Sequence, residues 1–109
     1  MSFRRGHLYW VRMPGEGKRR PALVLSDDIR NDRSPTVVVV PCTTSTRLGP
    51  WHVALRRGEG GLPVASVAKC EDVTMLSQTD LISTALGGPL SRERLAEVRR
   101  ALLSALDFE

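Results

Sequence analysis

The sequence predicts a mainly β, α+β fold: a small barrel or curled sheet of about five to seven short strands with one C-terminal helix packed on it. Three observations carry this expectation. Most of the chain is a series of short apolar runs, rich in branched and aromatic residues and cut by Gly, Pro and polar turns. Only the C-terminal segment keeps a helical spacing of apolar residues over several turns. The length of 109 residues suits one domain that buries roughly 60–70% of the surface its unfolded chain exposes. Residues 1–109 are read as a single domain without linker, repeat or low-complexity tract.

Taken in order, His7 to Arg12 forms the first expected strand, with Leu8, Tyr9, Trp10 and Val11, and Met13 to Arg19 a loop of Pro, Gly and charge. Pro21 to Ser26 is the second strand. Pro21 has no ladder N–H, so it belongs at the start or on an edge. Asp27 to Pro35 reads as a polar turn. Thr36 to Cys42 is apolar on both faces and is therefore the central third strand. Thr43 to Pro50 is a polar loop, Trp51 to Arg57 a fourth strand, and Gly58, Gly60 and Gly61 a turn. Val64 to Val73 is the fifth strand, with Val64, Ser66, Ala68 and Cys70 on one face. Ser77 to Leu81 reads as a single helical turn capped by Ser77, and Ile82 to Leu86 is open between loop and short strand. Ser91 caps the final helix, which runs to about Leu106 on a stripe of Leu95, Val98, Leu102, Ala105 and Leu106. Glu93 near its start and Arg99 and Arg100 nearer its end suit the helix dipole.

Charge and cysteine content narrow the function classes. There are 16 Lys and Arg against 12 Asp and Glu, a net charge of +4, and only Lys18 and Lys69 among the cations are lysine. Guanidinium groups make bidentate contacts with phosphate and stack on bases, so a polyanion partner fits, as does a merely solvated basic surface. Cys42 and Cys70 form no C-x-x-C pair and no His sits at zinc spacing. Buried free thiols in a reducing, cytoplasmic compartment are expected. The N-terminal segment lacks the apolar run of a signal peptide, and Val37 to Cys42 is too short to span a bilayer. No acidic cluster suggests Mg²⁺ or Ca²⁺, and the GEGK of residues 15–18 lacks the spacing of a phosphate loop. Neither a metal nor a cofactor is expected. His7 and His52 are the only histidines. As a pair they offer a base and an acid; singly, each reads as a structural or solvated residue.

What remains is a site distributed over loops. Lys18, Arg19 and Arg20 end the first loop, and Thr43, Thr44, Ser45 and Arg47 follow the central strand. If the second and third strands pair antiparallel, Arg20 and Thr43 meet at one rim. A cation beside several hydroxyls makes a phosphate site; a solvated basic loop beside a Thr/Ser turn fits the same composition.

Five segments together resemble the MazF/PemK toxins, and the match covers nearly the whole chain: RGHLYWV, GEGKRRPALVLSDDIRN, SPTVVVVPCTTS followed by PWHV, SVAKCEDVTML and LSRERLAEVRRALLSAL. The resemblance implies an SH3-like barrel forming a two-fold homodimer. It also implies an mRNA interferase: cleavage of single-stranded RNA at short motifs, restrained by a cognate MazE-like antitoxin whose acidic, partly disordered segment crosses the basic groove. Arg20 matches the family's catalytic Arg before Pro, Thr43 its catalytic Thr, and Glu16 its loop Glu. Lys18, Arg19, Thr44, Ser45, Arg47, Trp51 and Asn31 are the expected substrate contacts. Trp51 serves equally as a stacking platform or as a core or interface residue.

The expected chemistry is metal-independent attack of a ribose 2′-OH on the adjacent phosphorus, giving a 2′,3′-cyclic phosphate and a 5′-OH. Glu16 is either the base or an ion-pair partner that positions Arg20. Three departures from the family pattern bear on these roles: a short first loop, His7 where an acid is common, and Thr74 where many members carry Arg. Two alternatives share the barrel. One is a non-enzymatic toxin acting on DNA gyrase; the other is a nucleic-acid-binding barrel without catalysis.

Overall fold

The computed structural model describes residues 2–45 and 47–108. Its elements are β1 (Leu8–Arg12), β2 (Arg19–Val24), α1 (Asp28–Arg33), β3 (Thr36–Thr43), β4 (His52–Leu55), β5 (Ser66–Lys69), β6 (Thr74–Ser77) and α2 (Arg92–Ala105), with 3₁₀ turns at Glu59–Gly61, Cys70–Asp72 and Gln78–Asp80. The six strands make one antiparallel sheet around β3, as its two-faced apolar sequence predicts. One edge of β3 takes β2, which is flanked in turn by β1. The other edge is shared: β6 pairs with Thr36–Val39, while β5 pairs with Cys42 and Thr43 and carries β4 outside it.

The fifth strand expected from Val64 to Val73 is shorter: only Ser66–Lys69 is strand, and β6 (Thr74–Ser77) lies beyond the expected bounds. The turn at Cys70–Asp72 ends β5, and β5 and β6 follow different halves of β3. The polar segment expected as a turn holds α1. Asp27 caps it by accepting from the Ile29 and Arg30 amides, at 3.0 and 3.4 Å. Residues Ile82 to Leu86 form no strand, yet they run along the outer edge of β1. The Ile82 amide donates to the Trp10 carbonyl and the Leu86 amide to the Leu8 carbonyl, both at 2.9 Å. That return covers an edge which would otherwise be open to pairing, although the hydrogen-bonded ladder does not close into a ring.

Both faces of the central strands are buried. Tyr9, Val11, Ala22, Val24, Val37, Val39 and Leu76 pack with Phe3 and Leu81 on one side. Leu8, Leu23, Val40 and Cys42 pack on the other with Val53, Leu55 and Leu62, where α2 adds Val98 and Ala101. Ser91 caps α2 by accepting from the Arg94 amide at 3.1 Å, as expected.

Asn31 is 2% exposed. Its amide nitrogen donates to the Phe3 and Ser26 carbonyls at 3.0 and 2.9 Å, and its oxygen accepts from the Ser26 hydroxyl. Asn31→Ala strands two buried carbonyls and a hydroxyl. A loss of about 2–3 kcal/mol is expected, seen as a fall in Tm of roughly 10 °C or more in a thermal melt.

Candidate catalytic groove

The β2–β3 pairing puts Ala22 opposite Pro41, Leu23 opposite Val40 and Val24 opposite Val39. Carried two residues further, that register sets Arg20 opposite Thr43. The pairing depends only on β2 and β3 being antiparallel neighbours joined through α1, and it brings a cation and a hydroxyl far apart in the chain to one rim.

The two residues line the same hollow of about 150 Å³. Lys18, Arg19 and Thr44 line it too, with Trp10, Pro21, Cys42, Pro63, Val64 and Ser66 completing its walls. Thr44 and Ser66 also border a second hollow of about 280 Å³, which includes Ser45, Leu48, Ala54 and Arg56. The two hollows form one groove. Among the described residues Lys18, Arg19 and Arg47 have no acidic partner, so their charge is available to solvent or ligand.

Arg20 is held by Glu16. Its Nη2 donates to Glu16 Oε2 at 2.8 Å, and its Nε lies 2.7 Å from Oε1. The second contact is too bent for a hydrogen bond, and both of its atoms are shut off from solvent without a directed partner. Glu16 does not line the hollow. It grips the guanidinium on one side, and the residue as a whole stays partly exposed.

The structure places several expected contacts elsewhere. Asn31 is buried in its carbonyl network and does not reach the groove, because α1 turns its amide inward. Trp51 and Arg47 are exposed and line neither hollow, since the loop before β4 carries them past it. Conversely, Trp10, Val64 and Ser66 line the groove without having been anticipated. Ser66 had a usable signal, as a polar residue on the strand face that also carries Ala68 and Cys70.

Cys42 reaches the hollow, but burial pushes its thiol up to about 12. Burial, with Glu71 nearby, raises Cys70 to about 11. Both stay protonated at neutral pH, and neither supplies a nucleophilic thiolate. No helix among the described residues is long and apolar enough to cross a membrane.

A family model described as "PemK-like, MazF-like toxin of type II toxin-antitoxin system" matches residues 4–106. The chain belongs to this family. Among its relatives is the probable endoribonuclease MazF5 of Mycobacterium tuberculosis, 36% identical over 104 residues, which span 94% of this chain and 88% of that protein. A crystal structure of MazE–MazF from Deinococcus radiodurans is 30% identical with a TM-score of 0.81, covering 97% of this chain and 96% of that one. MazF from the same organism superposes with a TM-score of 0.83 at 28% identity over 98% of both chains. A mycobacterial endoribonuclease in complex with its cognate antitoxin, at 24% identity and TM-score 0.82, shares the fold. The six-stranded sheet and its C-terminal helix are thus the MazF-like architecture, and the groove of Arg20 and Thr43 lies on it.

Proposed function

We propose that this MazF-like chain is a toxin endoribonuclease that cuts single-stranded RNA in the groove at the rim where β2 begins and β3 ends. The observation that carries the reading is the hollow that Arg20 and Thr43 line together with Lys18 and Arg19, beside the end of the β2–β3 pairing. The 2′-oxygen attacks phosphorus, the bond from phosphorus to the 5′-oxygen breaks, the 2′-OH loses its proton and the 5′-oxygen gains one. The nucleophile belongs to the substrate, so the protein's task is in-line geometry and charge stabilisation, and no metal is called for. Arg20 clamps the non-bridging oxygens and Thr43 donates to one of them. Glu16 positions the guanidinium. Lys18 and Arg19 hold flanking phosphates, which makes binding fall with salt.

The same reading gives the chain a homodimeric state, a cytoplasmic location and a MazE-like antitoxin as inhibitor. It draws support from the antitoxin complexes among the related structures. A segment rich in acidic residues would cover the unpaired cations of the groove.

Purified protein incubated with single-stranded RNA in EDTA tests the reading. Fragments ending in a 2′,3′-cyclic phosphate are expected. Intact RNA beside inhibited DNA gyrase overturns it in favour of the gyrase toxin, and salt-sensitive binding without products in favour of a catalytically silent barrel. Thr43→Val, which keeps the shape and removes the donor, is expected to slow cleavage by roughly 10²-fold with little effect on RNA binding, read from single-turnover rates.

A further inference from the structure

The loop from Thr44 to Trp51 carries Thr44, Ser45 and Leu48 to the groove, yet few bonds hold its described residues. The Ser45 amide donates to Thr43 Oγ1 at 3.3 Å, and at the far end Trp51 accepts from the Cys70 amide at 3.0 Å. Between these, the loop is tied to His52. The Gly49 amide donates to His52 Nδ1 at 2.8 Å, and the imidazole Nε2 lies 2.8 Å from Glu71 Oε2. The ring lies against Gly49, where a Cβ would touch it at 3.5 Å.

These partners fix the proton. A backbone N–H only donates, so Nδ1 accepts and carries no hydrogen. Nε2 therefore holds the proton and donates to the Glu71 carboxylate. Burial raises the Glu71 carboxyl, but the His52 bond, its own backbone amide and nearby Lys69 outweigh it and hold it below the ordinary carboxylate value. The imidazole thus joins the β3–β4 loop to the Cys70–Asp72 turn, and its Nδ1 lone pair adds to the backbone bond in which the His52 amide donates to the Gly49 carbonyl at 3.2 Å.

We propose that His52 is a positioning residue: as a neutral Nε2–H imidazole it latches the β3–β4 loop through the Gly49 amide and so shapes the RNA groove, and protonation releases the latch. The inference rests on the endoribonuclease reading above. Protonation puts a hydrogen on Nδ1, and two donors then face each other across 2.8 Å. Glu71 and, from α2, Glu97 favour the cation. Arg100 on α2 and Lys69, opposite His52 in the β4–β5 pairing, oppose it, while Lys69 is itself paired with Asp72 at 3.2 Å. Among the described residues Nδ1 has no hydrogen-bond partner besides the Gly49 amide. Gly49 and His52 themselves line neither hollow, so release raises KM and spares kcat.

Two variants divide the ring's bonds between them. In His52→Asn, Oδ1 takes the place of Nδ1 and accepts from Gly49, but the donor to Glu71 is lost. In His52→Gln, Nε2 takes the ring nitrogen's place and donates to Glu71, but the acceptor for Gly49 is lost. On a short single-stranded RNA, His52→Gln is expected to raise KM about three- to tenfold with kcat held, and His52→Asn to stay within about twofold of the parent. The parent's KM is expected to depend on pH, and that of His52→Asn to stay flat. Amide hydrogen exchange at Gly49 is expected to be fast in His52→Gln and slow in the other two.

If Gln rescues as well as Asn, or the parent and His52→Asn share one pH profile, the latch is overturned. If the parent cuts no RNA at all, the endoribonuclease reading falls. The Gly49 exchange then decides the latch alone, with equal protection in the Gln and Asn variants counting against it.

Discussion

Arg20→Ala is expected to lower RNA cleavage by at least about 10³-fold while the protein still folds. The guanidinium lines the same hollow as Thr43 and is held by Glu16; in the proposed mechanism it stabilises charge that develops on the phosphorane. Loss of such a charge is felt in the transition state more than in the bound substrate. The fall is therefore expected in kcat, with KM changed less.

Arg20→Lys separates charge from geometry. A lysine keeps the charge but presents a single ammonium where Glu16 now meets two guanidinium nitrogens, at 2.7 and 2.8 Å. Recovery of no more than about one tenth of the lost rate is expected. Glu16→Gln keeps the shape and weakens the grip, and is expected to cost less than Arg20→Ala, because in the proposed mechanism Glu16 acts through Arg20. Single-turnover rates, with a thermal melt to confirm folding, check the series. If Arg20→Ala cuts as fast as the parent, the groove is not the site of chemistry.

That this rim was legible in the sequence has a simple cause. PALVLS and TVVVVPC are two apolar runs separated by a short polar segment, and neighbours joined so closely pair antiparallel. Arg20 and Thr43 then follow by counting. The helix α1 within that polar segment was not legible, because its one buried residue is Asn31 and an apolar stripe is what marks a helix. For the same reason nothing in the local pattern marks Asn31 as buried, and the resemblance assigns it to the substrate instead. Its role is to satisfy carbonyls of Phe3 and Ser26, and the carbonyls in need come from the fold, not from neighbours in sequence. The break between β5 and β6 depends on β3 pairing with different strands along its length, which a period-2 pattern does not record. The His52–Glu71 contact joins residues 19 apart across β4 and a 3₁₀ turn, and no local spacing announces it.

The largest loss of stability is expected at Gly61. Its φ of +86° lies in the region that favours glycine. A methyl there would also fall on the Leu86 carbonyl and within 2.7 Å of the Gly87 amide nitrogen. Both obstacles are backbone, so no rotamer change relieves them. The Glu59–Gly61 turn and the return segment at Leu86 and Gly87 touch main chain to main chain. Leu62 and Leu90, which flank this contact, belong to the core under α2. Gly61→Ala must strain the turn or push the return segment off β1, unpacking that core. About 3 kcal/mol or more is expected, a fall in Tm of roughly 12 °C or more.

Two other glycines resolve the cause. Gly15 has φ +76° with nothing within 4 Å of a Cβ, so Gly15→Ala carries the backbone strain alone and is expected to cost about 1 kcal/mol. Gly88 has neither a positive φ nor a neighbour, and Gly88→Ala is expected to stay within about 0.5 kcal/mol of the parent. Urea unfolding of the three variants gives the order directly. If Gly61→Ala proves no worse than Gly15→Ala, the close backbone contact with residues 86 and 87 does not hold the return segment in place.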